Sequence, residues 1–323
     1  MATVETGARL QFGFQNLALA HERLYGGVGV ALAEPRLVLT AERAEETVGD
    51  APVESYLDAV VDLLDVPGAR VTVEESFERH AGLGSGTQLA LSALVAVARA
   101  YDRDVDPRAR APALGRGGRS GVGVATFERG GFVVDAGHPT ERFTADRPAD
   151  GNWTVPPVAA RHPIPDDWRF LIVVPDAEPG RAGEGEESSI RAVVESADPA
   201  VADRIAGVIA RRLLPAVAEG ALDRFGSAVR EMGRLNGTWF ADEQGGVYRP
   251  PVGDLVAELA DAPAVAGVGQ SSWGPAVYAV TDAERADAAR AAGRAALDSA
   301  GVDGDVRVVA GRNRGATVEA ESD

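Results

Sequence analysis

A chain of 323 residues has room for two ordinary domains, and its hydrophobic share of 45% can fill a complete core. All 32 basic residues are arginine and stand against 49 Asp and Glu, a net charge of -17. That balance excludes nucleic acid as a partner, because phosphate-backbone binding needs a basic stripe. With no cysteine and no lysine there are no disulfides, thiolate metal sites, thiol nucleophiles, Schiff bases or Gly-Lys-Ser/Thr phosphate loops.

No apolar run approaches the roughly 20 residues that cross a bilayer. Residues 1–6 lack both a basic region and an apolar stretch, so no signal peptide is expected. A cytoplasmic protein without a membrane partner is the simplest expectation. The acidic surface suits concentrated salt, which screens its self-repulsion. A small anionic substrate is compatible with this charge if local arginines and backbone N–H groups hold it.

Residues 7–14 alternate as a strand, with Arg9 and Gln11 opposite Leu10 and Phe12. A polar stretch through Asn16 and Arg23 follows, then strands over 28–33 and 36–40 divided by Pro35. Asp50 and Pro52 open a helix with the stripe Leu57, Val60, Val61 and Leu64. Pro67-Gly68 ends it, and 70–76 is a strand. Then comes Gly82-Leu-Gly-Ser-Gly-Thr-Gln88, leading into an apolar run to Ala98 that reads as a buried helix. Three glycines allow a tight turn and close approach to a ligand, and Ser85 and Thr87 are good N-cap residues. A helix N-terminus opening from such a loop binds phosphate. A plain loop-to-helix turn would carry the same letters, and the two readings stand side by side here.

A second glycine cluster, Gly115-Arg-Gly-Gly-Arg119-Ser-Gly121, precedes expected strands at 122–127 and 131–135. It reads as an anion clamp or as a mobile surface loop. Asp135 and His138 close the second strand, where a turn with solvated side chains is the plainer reading. Residues 139–167 are rich in Pro, Asp and Gly and suggest a linker, dividing the chain into domains 1–160 and 161–323. The second half reads strand 168–175, helices near 187–197, 200–219, 221–235 and 252–260, strands 264–268 and 276–281, helix 282–300 and strand 305–310. That order is a ferredoxin-type split βαβ sandwich. Gly237 and Gly301 are expected helix stops, and Gly267–Pro275 reads as a hairpin turn.

The chain has no Gly-x-Ser-x-Gly elbow, no Gly-x-Gly-x-x-Gly and no His-Glu-x-x-His. His21, His80, His138 and His162 are too scattered for a local zinc motif.

Three glycine motifs in this order, the first opening a buried helix, resemble the GHMP superfamily of small-molecule kinases. The chain is most similar to one archaeal branch, the β-ribofuranosylaminobenzene 5′-phosphate synthase family. The words that carry the likeness are Gly82-Leu-Gly-Ser-Gly-Thr-Gln-Leu-Ala-Leu91, Gly115-Arg-Gly-Gly-Arg-Ser-Gly-Val-Gly-Val-Ala125, Phe132-Val-Val-Asp-Ala-Gly-His138 and Gly269-Gln-Ser-Ser-Trp-Gly-Pro275. The resemblance implies an α+β, two-domain GHMP-type fold: an N-terminal α/β domain with the phosphate loop and a C-terminal ferredoxin-like domain. It implies condensation of phosphoribosyl pyrophosphate with 4-aminobenzoate or a similar aromatic acid, with loss of pyrophosphate and carbon dioxide, on the route to methanopterin. Mg²⁺, a homodimer and, with this composition, a halophilic archaeal source are further expectations.

Under that resemblance the phosphate-binding residues are Gly82, Gly84, Ser85, Gly86, Thr87, Gln88 and Arg119. Arg23, Asp135 and His138 are candidate catalytic groups, and Arg9, Asn16, Gln270 and Ser271 are candidate substrate contacts. The metal ligands are not assigned. Gln11 stands where the family pattern has histidine, and Asn16 where it tends to have an acid. Two other readings accompany the synthase: an ATP-dependent GHMP kinase acting on a small alcohol, and a phosphate-sugar binding relative without catalysis, for which Gln11 and Asn16 are the motive.

Overall fold

The computed structural model describes residues 1–142, 148–177 and 184–320. Its elements in chain order are β1 (Ala2–Asn16), β2 (Arg23–Arg43), β3 (Val48–Gly49), α1 (Ala51–Leu64), β4 (Ala69–Glu75), α2 (Ser85–Ala100), α3 (Pro107–Arg110), α4 (Val122–Arg129), β5 (Phe132–Asp135), β6 (His138–Pro139) and β7 (Val158–His162). There follow β8 (Trp168–Pro175), α5 (Glu184–Ser196), α6 (Pro199–Val208), α7 (Leu214–Glu219), α8 (Leu222–Trp239), α9 (Ala241–Gln244), α10 (Val252–Ala260), β9 (Gly267–Gln270), β10 (Val277–Asp282), α11 (Ala286–Ala300), β11 (Gly304–Ala310) and β12 (Thr317–Ala320).

An eight-stranded sheet runs β12-β1-β2-β4-β3, with β5 and β6 on β2 and β7 on β5. A four-stranded antiparallel sheet runs β11-β8-β10-β9, the strand order of the ferredoxin-type sandwich. Because β12 pairs with β1, the first sheet draws strands from both ends of the chain. One core joins the two sheets: Phe170, Ile172, Tyr278 and Val280 pack with Phe225, Val229 and Met232 of α8 and with Phe12 of β1. The opposite face of the second sheet, with Leu171, Val173, Val268 and Val277, is covered by α10 and α11. This is the period of two expected when both faces of a sheet are buried.

The structure revises several expectations. The strands at 28–33 and 36–40 are one strand, β2. Its register against β1 jumps from Gly7↔Arg36 to Arg9↔Ala31, so Pro35 falls in a bulge where no ladder hydrogen bond is required of it. The run from Val122 is helix rather than strand. Val122–Phe127 are all buried, and α4 packs against α2, β2 and β5, so tertiary burial overrides the β propensity of its two valines. The helix stop at Gly237 is not one: α8 continues to Trp239, and Gly237 lies where a Cβ would run into the Val247 carbonyl. Gly301 does cap α11, in the left-handed conformation. Within the proposed linker, β7 is an ordered strand of the first sheet, and residues 143–147 lie outside the described residues.

Candidate active site

The glycine segment Gly82–Gly84 turns the chain from β4 into α2, a helix buried along almost its whole length. Gly82 and Gly84 both hold positive φ, 97° and 84°, a conformation that a side chain resists. Gly84 is the N-cap, and its carbonyl accepts from the amides of Thr87 and Gln88 at 3.2 and 3.3 Å. Neither Ser85 nor Thr87 caps the helix, as composition suggested; both lie inside it, and no side chain among the described residues takes the cap position. The first amides of α2 thus face a cavity of about 1120 Å³ lined by Gly82, Gly84, Ser85, Gly86 and Thr87. They carry the positive end of the helix dipole to that spot.

The third glycine segment holds this loop from behind. The buried Ser271 hydroxyl donates to the Gly82 carbonyl at 2.7 Å and accepts from the Gln11 amide at 3.1 Å. Ala276 N–H donates to the Ala81 carbonyl at 3.1 Å. A guanidinium nitrogen of Arg9 donates to the Gly82 carbonyl at 2.7 Å. With the loop carbonyls engaged on that side, the helix amides keep their direction toward the cavity.

The second glycine cluster forms another wall. The Arg116 guanidinium lies 5.0 Å from the centroid of the Tyr56 ring and donates to its hydroxyl. The Trp153 indole donates to the Arg116 carbonyl at 3.1 Å. In a protein of net charge -17, Arg9, Arg79, Arg116, Arg119 and Arg191 line the cavity against one described carboxylate, Asp150. Guanidinium groups gathered on one cavity can bind an anionic ligand by charge-assisted hydrogen bonds. Backbone strain gathers here as well. Tyr25, His80 and Ser272 line the cavity with φ of 66°, 62° and 57°, and the other described non-glycine residues at positive φ are Asp65 and Asp102.

The GHMP kinases N terminal domain matches residues 51–131, and the GHMP kinases C terminal domain matches residues 213–299. Beta-ribofuranosylphenol 5'-phosphate synthase of Methanothermobacter thermautotrophicus is 33% identical over 97% of this chain and 97% of its own length. The protein of the same name from Archaeoglobus fulgidus is 33% identical over 99% of this chain and 100% of its own length. The chain belongs to the beta-ribofuranosylphenol 5'-phosphate synthase family. Among solved structures, L. major mevalonate kinase in complex with R-mevalonate matches with a TM-score of 0.67 at 14% identity, covering 95% of each chain. That likeness fixes the GHMP fold and says nothing of the reaction.

Of the residues the sequence singles out, this member of the synthase family brings Arg9, Gly82, Gly84, Ser85, Gly86, Thr87, Arg119, His138 and Gln270 to one cavity. Five others do not line it. Gln88 is buried in the core, where it accepts from the Thr6 hydroxyl at 2.8 Å and donates to the Gly123 carbonyl at 3.0 Å. Ser271 is the strut under Gly82 described above. Arg23 donates to the carbonyls of Ala136 and Gly137, fastening the turn after β5. Asn16 accepts from the Ala18 amide at 2.7 Å and donates to the carbonyls of Ala18 and Arg23 at 2.8 and 2.6 Å. An ionised carboxylate at position 16 could not make those two donations, which gives this departure from the family pattern a structural use.

Asp135 is fully buried, and its carboxylate accepts from the amides of Gly27, Gly121 and Gly137 at 2.8, 2.7 and 2.9 Å and from the Ser120 hydroxyl at 3.2 Å. Burial pushes its pKa up to about 6 even though these four hydrogen bonds pull the other way. The side chain clips the end of the Arg116–Ser120 loop to β5, so its place is behind the cavity wall.

Sequence reasoning missed Tyr56, Arg116, Asn236 and Trp273. Arg116 and Trp273 sit inside quoted motifs and could have been named from them. Tyr56 belongs to the buried face of α1 and Asn236 to the buried face of the last turn of α8, where no local signal distinguishes them from core. Among the described residues no group of three or more His, Asp or Glu could hold a metal ion. Among the described residues the lining offers the Ser85 and Thr87 hydroxyls and Asp150 as oxygen donors and no dedicated cage for Mg²⁺.

Proposed function

We propose that this chain condenses phosphoribosyl pyrophosphate with a para-substituted benzoate, releasing pyrophosphate and carbon dioxide, on the route to methanopterin. The relatives are named for a ribofuranosylphenol, which favours 4-hydroxybenzoate as the acceptor over the 4-aminobenzoate expected from the sequence. The observation that carries the reading is the uncapped N-terminus of α2 opening into an arginine-lined cavity. There the Gly84–Thr87 backbone holds the pyrophosphate, and Arg9 and Arg119 hold anionic oxygens by charge-assisted hydrogen bonds.

In the reaction the C1–O bond of the ribose breaks and its electron pair leaves on pyrophosphate. The ring carbon bearing the carboxylate bonds to C1. The carbon–carbon bond to the carboxyl group then breaks, and its pair restores the aromatic ring. Negative charge grows on the leaving pyrophosphate, where helix amides and arginines are fixed in advance. The attacking carbon carries a carboxylate and no hydrogen, so loss of carbon dioxide takes the place of deprotonation. Orientation matters more here than acid–base strength. Non-titrating groups at Gln11 and Asn16 are compatible with such chemistry. Magnesium, expected with a diphosphate substrate, would enter as its counter-ion.

Purified protein in concentrated salt with magnesium should release carbon dioxide and pyrophosphate from phosphoribosyl pyrophosphate and 4-hydroxybenzoate. ATP turnover on a small alcohol with no such release would make it a GHMP kinase. Tight binding without turnover of either pair would make it a sensor.

A further inference from the structure

The cavity, at about 1120 Å³, exceeds the 300–1000 Å³ usual for a single small ligand, which leaves space for a second substrate beside the sugar diphosphate. Part of its lining is aromatic in a way that anion binding does not require. Phe14, Tyr25, His138, Phe240 and Trp273 all face it. Phe14 and Tyr25 have ring centroids 6.1 Å apart, and Tyr25 meets His138 edge-on at 6.5 Å. Phe240 and Trp273 meet edge-on at 4.6 Å. Phe14, Tyr25 and Trp273 pack at the margin of a small apolar cluster that holds Phe240 with Leu17, Leu24 and Ile190.

Two features set this wall apart from ordinary core. Tyr25 and Ser272, the residue before Trp273, both hold the left-handed backbone conformation, which a tyrosine or serine adopts only where its surroundings enforce it. The Tyr25 ring is therefore presented to the cavity from a strained backbone, and the Trp273 ring directly follows one. The hairpin that carries Trp273 is also bonded to the anion loop, through Ser271 and Gly82, so the aromatic wall and the helix amides are fixed relative to each other. Asn236 adds a second tie: its side chain accepts from the Phe14 amide at 2.7 Å and donates to the Phe14 carbonyl at 3.1 Å.

The geometry points to an acceptor subsite: the aromatic ring of the benzoate docks against the wall of the cavity that Phe14, Tyr25, Phe240 and Trp273 line. This inference rests on the synthase reading, since a kinase substrate without a ring would have no use for such a wall. Flat aromatic faces and edges orient a ring by stacking, which is what attack through one ring carbon needs. Trp273 then serves as a specificity residue for the acceptor.

The test is steady-state kinetics of Trp273→Ala and Trp273→Phe, together with tryptophan fluorescence of the full chain titrated with 4-hydroxybenzoate in the presence of inorganic pyrophosphate. Trp273→Ala should raise the acceptor KM about tenfold, leave the KM for phosphoribosyl pyrophosphate within about twofold, and be partly rescued by Trp273→Phe. Wild-type fluorescence should change on titration, and that change should be lost in Trp273→Phe. Normal turnover with an unchanged acceptor KM in Trp273→Ala would overturn the subsite and leave the synthase reading intact. If wild-type protein released no carbon dioxide from any benzoate, the synthase reading would fall. The titration would then decide the subsite alone: no fluorescence change overturns it, and a change that disappears in Trp273→Phe sustains it as an aromatic-acid site.

Discussion

Gly84→Ala is the substitution whose consequences the geometry specifies most fully. Gly84 has φ of 84°, and a Cβ there would stand 2.8 Å from Cγ and 3.0 Å from Nε of Arg9. The left-handed backbone costs an alanine about 1–2 kcal/mol. Arg9 must also move, and its bond to the Gly82 carbonyl is charge-assisted, a class worth about 1.5–3 kcal/mol. The two together predict a loss of about 2.5–5 kcal/mol of stability in urea unfolding. A displaced Arg9 also no longer faces the ligand, so affinity for inorganic pyrophosphate should fall about tenfold to a hundredfold in calorimetry. The cycle with Arg9→Ala isolates the mechanism. In the Arg9→Ala background, Gly84→Ala should cost only the backbone strain and weaken binding no further. Fully additive losses of affinity, or unchanged affinity in the single variant, would refute the coupling of loop and arginine.

Gln88→Leu should cost about 1–3 kcal/mol of stability by stranding the buried Thr6 hydroxyl, while the Gly123 carbonyl keeps the Thr126 hydroxyl, and calorimetry should show pyrophosphate affinity unchanged, since Gln88 lies in the core. Arg119→Ala should weaken pyrophosphate or substrate binding while shifting the melting temperature little; the reverse pattern would make Arg119 structural. For Asp135 the folded pKa of about 6 lies above the reference 3.8, so between those values the folded chain keeps a proton that the unfolded chain has released. Stability from this group therefore falls as pH rises from about 4 to 6, by about 3 kcal/mol, and is level above that. The stability of wild type relative to Asp135→Asn, measured by urea unfolding at both ends of the window, should decline by that order; a constant or rising difference would contradict burial outweighing the hydrogen bonds at this carboxyl group.

Much of the candidate site is legible in the sequence because it is built from backbone. Glycine spacing at 82–86 and 115–121 and the following apolar helix report a main-chain cradle directly, and arginine in a chain without lysine marks the cations. What the letters hide is which side chains face inward. Gln88 and Ser271 sit in the same motifs as Ser85 and Gln270, yet a helix turn or a strand alternation places them behind the wall. Asp135 and Arg23 look like reactive groups until their partners, brought in from strands and turns distant in sequence, are seen to use them. The strand expected at 122–127, which is helix, has a different source. Alternating valines favour a strand locally, but packing of that segment against α2 and the first sheet decides for helix. Pro35 misled for a related reason, since only the register with β1 reveals the bulge that accommodates it.

Carboxyl-labelled 4-hydroxybenzoate gives the most direct measurement of the central claim. Incubated with the protein, magnesium and phosphoribosyl pyrophosphate in concentrated salt, it should yield labelled carbon dioxide and pyrophosphate in equal amounts, with neither formed when the sugar diphosphate is omitted. Pyrophosphate without labelled gas, or no release of either by protein that still binds pyrophosphate, would contradict the assignment of this cavity to decarboxylating ribosyl transfer.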